Sequence, residues 1–324
     1  MVRVNRRRFL FAAGGLLAAP TFAQQSSRVY TVGVLFGLGA ESMGIYRAAL
    51  VERLAGHGYV EHRNLRVEAR AAHLGTSATE VDELIRLQPD ALLTCTTFAT
   101  QTAQPVAGTT PIVFAWVADP VASKFVETYA RPGGNITGVT NRFGELVVKR
   151  LELAHDLLPG AKRVAVVGVE SPLYRFFASP MRRAAGQLGI ELTELPAYDW
   201  EASVEQAKTA GAAAIIVFAH FSAGGMQAIG KTVVKAALRE RIPVIFAEAE
   251  LVEAGGLVSY GTNPVDDIRR AADLLARVLK GEDPATIPVD QAARFELAVN
   301  LKTAKAIGIT IPQSILLRAD RVIE

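Results

Sequence analysis

The pattern in this chain that most directly suggests chemistry is a phosphate-binding one. The segment Gly225-Met-Gln-Ala-Ile-Gly230-Lys231-Thr232 matches GxxxxGK[ST], in which loop amides and the lysine hold nucleotide phosphates. However, Met226, Ile229 and Val233 recur at helical spacing. In a phosphate loop the backbone N–H groups near Gly230 must be free to bind phosphate. In a helix that has already begun, they are hydrogen-bonded within the helix. The spacing therefore predicts a helix here and no nucleotide site.

A second group of residues suits the binding of a small charged molecule. Thr96 and Thr97 open a predicted helix, where their hydroxyls and the free N–H groups of the first turn hold a carboxylate or simply cap the helix. Asp119 precedes Pro120 at the end of a predicted buried strand, and its carboxylate pairs with an ammonium group or caps the next turn. Both interpretations stay open for each residue.

The other candidates stand at the ends of predicted strands, and several are aromatic. Binding pockets need apolar walls with a few polar groups, so these side chains favour a ligand with an aromatic or apolar body. No Ser-His-Asp arrangement or carboxylate pair can be read from the spacing, and His57 and His62 lack further ligands. We therefore predict no catalytic residue, metal or cofactor. The predicted ligand-binding set is Phe36, Gly37, Thr96, Thr97, Trp116, Asp119, Ser171, Tyr174, His220, Phe221, Glu248 and Tyr260.

Strand-like and helix-like segments alternate along the chain and must position these residues. Continuous apolar runs predict strands that are buried on both faces, and 3.6-residue periodicity predicts the helices between them. This alternation is typical of a parallel sheet covered by helices. In the first part of the chain the predicted strands are 29–36, 64–71, 90–95 and 111–118, and the predicted helices are 43–56, 79–87 and 97–107.

The same series of elements then repeats. Five segments recur in the same order after residue 160; for example, Lys162–Gly168 resembles Arg28–Gly33 and Arg241–Glu248 resembles Thr110–Ala115. The sequence predicts an α/β fold of two similar doubly wound parallel-sheet lobes with a ligand cleft between them. We expect lobe 1 at residues 28–140 plus 262–288, lobe 2 at 141–261 plus 289–324, and a hinge at the crossings.

The first 23 residues have the order of an export signal. Arg6-Arg7-Arg8-Phe9-Leu10 fits the twin-arginine pattern, and an apolar run and the cleavage site Thr21-Phe22-Ala23 follow. The apolar run is too short to span a bilayer. Removing the four arginines of this leader changes the formal net charge from +3 to −1, so no nucleic-acid partner is expected. We predict a soluble periplasmic protein that does not insert into the membrane after cleavage.

Three longer strings carry a resemblance to a known family. Ala130–Thr140, Phe246–Gly261 and Phe295–Pro312 are similar to segments of the substrate-binding proteins of ABC transporters, in the family that includes tryptophan- and tyrosine-binding members. The resemblance covers nearly all of the chain after the leader. It implies a type I-like periplasmic binding fold with three crossovers between the lobes.

The resemblance also implies a function. The protein would be a non-enzymatic, monomeric component of an ABC importer that captures a small molecule, such as an amino acid or an aromatic carboxylate, by hinge closure. Its partners would be the permease and the ATPase of the transporter. Two alternatives stay open: a periplasmic enzyme exported in the folded state, and a ligand-sensing module for a membrane partner.

Overall fold

Strands and helices alternate along the chain in the computed structural model, which describes residues 28–37, 40–71, 77–170, 172–218 and 226–324. The predicted leader lies outside these ranges. The first series comprises the strands β1 (Tyr30–Phe36), β2 (Leu65–Ala71), β3 (Ala91–Cys95), β4 (Ile112–Val117) and β5 (Ile136–Thr140), with the helices α1 (Ala40–Gly56), α2 (Ser77–Arg86) and α3 (Thr97–Ala103).

The second series repeats this arrangement. It comprises the helix α4 (Phe143–Leu157), the strands β6 (Arg163–Gly168), β7 (Glu191–Pro196), β8 (Ala214–Phe218), β9 (Val244–Phe246) and β10 (Val258–Gly261), and the helices α5 (Pro172–Leu188), α6 (Trp200–Thr209), α7 (Met226–Glu240) and α8 (Ala249–Glu253). The chain ends with α9 (Pro264–Leu279), a 3₁₀ turn (Pro284–Thr286), β11 (Asp290–Gln291), β12 (Glu296–Asn300), α10 (Leu301–Ile307), α11 (Gln313–Leu316) and β13 (Arg321–Ile323).

Over the described ranges, these strands form one sheet of six and one sheet of seven. The first has the order β11-β5-β4-β3-β1-β2 and the second β13-β12-β10-β9-β8-β6-β7. The β2-β1-β3-β4-β5 and β7-β6-β8-β9-β10 series have the same order, which confirms the internal duplication. Strand pairing is parallel except between β10 and β12, which run antiparallel. The predicted fold of two doubly wound α/β lobes is confirmed.

Each sheet is covered on both faces, which explains why its strands are continuous apolar runs. On one face of the first sheet, Val32 and Leu93 pack against Leu275 of α9. On the other face, Leu35 and Phe114 pack under α2 and α3. The second sheet has two such cores as well. The alternation of strands and helices thus fixes the carboxyl ends of the strands on rigid layers.

Three crossovers join the two sheets. Helix α9 follows the second crossover and packs on the first sheet against α1, as the sequence predicts. Asp290–Gln291 then pairs with β5 in the first sheet, although the sequence predicts a return to lobe 2 at residue 289. A two-residue strand is too short to show a periodicity, so the chain stays with the first sheet slightly longer than expected. The exact lobe boundaries stay a prediction.

The segment that matches a phosphate loop is helical where it is described. Gly230, Lys231 and Thr232 lie within α7, and the Thr232 hydroxyl donates a hydrogen bond to the carbonyl of Ala228 at 3.1 Å. A Cβ on Gly230 would lie 1.9 Å from Leu251 Cδ2, so this glycine serves helix packing. The helical interpretation is confirmed, while Gly225 lies outside the described residues.

Candidate functional site

The order of strands in the first sheet reverses between β1 and β3, where ligands of such folds bind. At this point the Gly37 N–H donates to the carbonyl of Cys95 at 2.9 Å. A Cβ on Gly37 would lie 2.2 Å from Thr96 Oγ1 and 2.8 Å from the Cys95 carbonyl oxygen. Only glycine therefore allows the loop after β1 and the loop after β3 to approach each other this closely. The predicted site residues Phe36, Gly37 and Thr96 are neighbours here.

Two residues at this edge of the sheet have strained backbones. Thr96 has φ 102° and ψ 158°, and Trp116 has φ 58°. Conformations of this kind cost on the order of 1–3 kcal/mol each for residues other than glycine. Strain that persists in a folded protein concentrates at binding and active sites. The edge is therefore a candidate binding surface on grounds independent of residue type.

The hydroxyl and carboxylate groups predicted in lobe 1 are engaged locally. Thr96 Oγ1 accepts from the Ala99 N–H at 3.3 Å, as an N-cap does, and Thr97 Oγ1 accepts from the Ala118 N–H at 3.1 Å. Asp119 Oδ1 accepts from the N–H groups of Val121 at 3.1 Å and Ala122 at 2.9 Å. The predicted capping roles are thus seen for Thr96 and Asp119, whereas the Thr97 hydroxyl holds the loop after β4 instead of capping its helix. Contact with a ligand stays a prediction.

The predicted aromatic residues occupy different environments. Phe36 is fully buried in the first core, whereas Trp116 is 4% exposed and makes an edge contact with Tyr46 at a centroid distance of 4.7 Å. Tyr174 packs on Phe218, and its hydroxyl donates to Glu194 at 3.1 Å, inside lobe 2.

The remaining predicted residues are Tyr260, Ser171, His220 and Phe221. Tyr260 is half-buried at the end of β10. Ser171, His220 and Phe221 lie outside the described residues.

A small pocket lies where the two sheets meet, and we call it the junction pocket. Its volume is about 20 Å³, enough for one water molecule. The walls come from the end of β4, the first and second crossovers, α4 and the end of β9. Among the lining residues are Trp116, Asn141, Phe143, Arg150, Glu248 and Thr262.

Arg150 projects into the junction pocket from the buried face of α4. Only 1% of the residue is exposed, and its Nε donates to the carbonyl of Tyr260 at 2.8 Å. Its guanidinium carbon lies 5.5 Å from the centre of the Phe143 ring. Burial lowers the pKa of Arg150 to about 10, against the opposing charge of Glu248, so the side chain stays cationic at neutral pH.

Glu248 enters the same pocket from the second sheet. It stands at the N-cap position of α8, but its side chain makes no cap hydrogen bond and only 4% of it is exposed. Burial raises the pKa of Glu248 to about 8; Arg150 opposes this rise and Glu250 adds to it. Burial raises the pKa of Tyr46, from α1, and the charges of Glu250 and Glu248 add to this rise.

Sequence reasoning identified Trp116 and Glu248 but missed Arg150 and Asn141. A signal for Arg150 was present, because Phe143, Leu146, Arg150 and Leu157 share one helix face whose other members are apolar. A charged residue on such a face needs an explanation. Asn141 gives no comparable signal, since it stands in a crossover.

Metal binding finds no support in the residues that the structure describes. Among them, no group of three or more His, Cys, Asp and Glu side chains is placed to hold an ion. None of the helices in the described ranges is long and apolar enough to cross a membrane.

Two similar doubly wound lobes, three crossovers and a charged pocket at the junction define a two-lobed α/β protein of the periplasmic-binding type. Over residues 31–323 the chain matches the family model described as ABC transporter substrate binding protein, and it belongs to that family. The family consists of solute-binding proteins rather than enzymes.

Individual relatives resemble the chain over most of its length. It is 24% identical over 266 residues to a tyrosine-binding protein of Clostridioides difficile, covering 81% of this chain and 76% of the relative. A structure of a conserved domain protein from Vibrio cholerae has a TM-score of 0.82 at 25% identity. An ABC domain from Streptococcus pneumonia in complex with L-Trp has a TM-score of 0.81 at 24% identity. Both structures cover 91% of this chain and are themselves covered completely.

Proposed function

We propose that this protein is the periplasmic solute-binding component of an ABC importer and captures an amino acid or an aromatic carboxylate between its lobes. The observation that carries the proposal is the junction pocket, which is lined by Trp116 from the first sheet and by Arg150 and Glu248 from elements that cover or follow the second. Residues from both lobes then hold one solute, and hinge closure at the crossovers completes the site. The tyrosine-binding relative and the L-Trp complex support an aromatic amino acid as a first ligand to test.

The location and partners belong to the same proposal. The twin-arginine leader, residues 1–23, takes the protein to the periplasm, where it passes its solute to the permease and the ATPase. Replacing Arg6 and Arg7 with lysine is expected to remove the protein from the periplasmic fraction. A double variant that still reaches the periplasm would contradict this route.

A thermal-shift screen followed by calorimetry tests the binding role. Aromatic amino acids and their carboxylates are expected to raise the melting temperature with concentration; a ligand at 100 times its Kd stabilises the folded state by about 2.7 kcal/mol. Trp116→Ala should weaken binding at least about 10-fold, because it removes an aromatic wall of the pocket. Trp200→Ala, at the start of α6 and outside the pocket lining, is the matched control.

Two outcomes would contradict the proposal. One is catalytic turnover of a solute in a protein that no solute stabilises. The other is an unchanged Kd in Trp116→Ala and Asp119→Ala alike, which would place the solute elsewhere.

A further inference from the structure

Arg150 has hydrogen-bonding capacity that the fold does not use. A guanidinium carries five N–H donors, and in Arg150 Nε satisfies the carbonyl of Tyr260. Nη1 is buried and has no hydrogen-bond partner. A buried donor without a partner costs about 1–3 kcal/mol, and more when it is charged. The fold pays this cost at the wall of a pocket, which indicates that an acceptor enters there.

Another residue that lines the junction pocket offers an acceptor that is also unused. Asn141 is 8% exposed, and its Oδ1 has no hydrogen-bond partner. Glu248 does not cap its helix, and among the described residues it acts on Arg150 through its charge and not through a side-chain hydrogen bond. Buried arginines and carboxylates that serve stability alone are paired directly, because the desolvation of each has to be offset. Here no direct side-chain hydrogen bond joins the two residues.

We propose that Arg150 binds the carboxylate of the solute, and that Asn141 and Glu248 accept from a hydrogen-bond donor on the adjacent carbon. The inference rests on the proposed function and adds the ligand class: organic carboxylates with an α-amino or α-hydroxy group. A carboxylate matches the planar guanidinium fork, to which it binds in a bidentate way. The aromatic or apolar body of the solute lies outward along Trp116.

The electrostatics of the empty pocket favour an anion. Burial raises the pKa of Glu248 to about 8, so at neutral pH this group is largely protonated while Arg150 is charged. The net positive charge of the pocket attracts a carboxylate and repels a ligand that carries only an amine. The free volume of about 20 Å³ holds one water molecule, so the head group of the solute enters while the lobes are apart.

The test is calorimetric titration with a matched series of probes. The four indole probes are L-tryptophan, indole-3-lactate, indole-3-propionate and tryptamine, and the corresponding phenol series serves as the second set. The carboxylate is expected to be essential, so tryptamine should bind about 100-fold more weakly than L-tryptophan, as expected for charge-assisted hydrogen bonds. Indole-3-propionate, which lacks the α donor, should bind about 10-fold more weakly than indole-3-lactate.

The variant Arg150→Met assigns this preference to the residue. It should lose about 30-fold or more in affinity for the carboxylates, while its weak binding of tryptamine stays unchanged. Its melting temperature should equal or exceed that of the wild type, because methionine fills the space without a buried charge. Arg163→Met, which changes an arginine at the far end of β6, is the control and should keep wild-type affinity.

The outcomes separate this inference from the function on which it rests. A wild type that binds no member of either series contradicts the proposed function and the inference together. A wild type that binds tryptamine as tightly as L-tryptophan overturns the inference alone, and this comparison needs no variant. A folded Arg150→Met protein with wild-type carboxylate affinity also overturns it and leaves the binding function standing.

Discussion

Replacing Glu248 with glutamine should make the stability of the protein less dependent on pH. Burial raises the pKa of this carboxyl group from the ordinary value of 4.5 to about 8 in the folded state, with Arg150 opposing the rise and Glu250 adding to it. The charge of Glu248 in turn contributes to the raised pKa of Tyr46, from α1. Between pH 4.5 and 8, the folded protein keeps a proton that the unfolded chain releases. The contribution of Glu248 to the free energy of unfolding is therefore fully present below pH 4.5 and declines as the pH rises towards 8.

The size of this effect follows from the two pKa values. They differ by about 3.5, and each pH unit corresponds to ~1.4 kcal/mol, so the full loss is about 5 kcal/mol as an upper limit. Between pH 5.5 and 7.5 the contribution is about 3 kcal/mol. Glutamine keeps the size of the side chain and does not titrate, so the variant should lose this part of the pH dependence. The side chain is nearly inaccessible to water, so solvent screening does not reduce the effect.

Urea denaturation of the wild type and of Glu248→Gln at pH 5.5 and 7.5 measures the difference. Glu253→Gln is the matched control, since it changes an exposed glutamate on the same helix α8. It should keep the wild-type pH dependence. Equal pH dependence in the wild type and Glu248→Gln would show that Glu248 is ionised in the folded protein, and would refute the account of the junction pocket as a positively charged site.

Three further substitutions test local features. Burial raises the pKa of Asp267 to about 7, so Asp267→Asn should reduce the loss of stability between pH 4 and 7 seen in urea denaturation; an unchanged loss would contradict this. Gly37→Ala places a methyl group 2.2 Å from Thr96 Oγ1 and should destabilise the fold by about 1–3 kcal/mol in the same assay, whereas a neutral result would show that the two loops separate easily. Thr97→Val leaves the buried Ala118 N–H without its acceptor and should cost about 1–3 kcal/mol; wild-type stability would mean that another group replaces the hydroxyl.

The sequence predicted those elements whose signal is local. Strand β1 was expected at residues 29–36 and is found at Tyr30–Phe36, because an apolar run buried on both faces is visible without knowledge of the partners. Helix α3 was predicted to continue to Ala107 but ends at Ala103. Pro105 explains the difference, since proline has no N–H to donate to the carbonyl of the residue four positions earlier.

The junction pocket was harder to predict because its parts are distant in sequence. Glu248 could be proposed from its place at a strand end, whereas Arg150 belongs to a helix in which a charged residue is ordinarily assigned to solvent. The apolar helix face around Arg150 indicates burial, but only the packing of α4 beside β10 shows which groups its side chain meets. The charge of a pocket thus depends on tertiary neighbours that periodicity does not reveal.

The contact between Trp116 and Tyr46 gives the protein an intrinsic fluorescence probe. The chain contains two tryptophans, and one of them lies in the wall of the junction pocket. Its indole ring meets the Tyr46 ring edge-on, at 4.7 Å between centroids. A solute that separates or shields these rings changes the fluorescence emission of Trp116. In a Trp200→Phe background, the entry of a solute and the closing of the lobes could be followed in real time without any label.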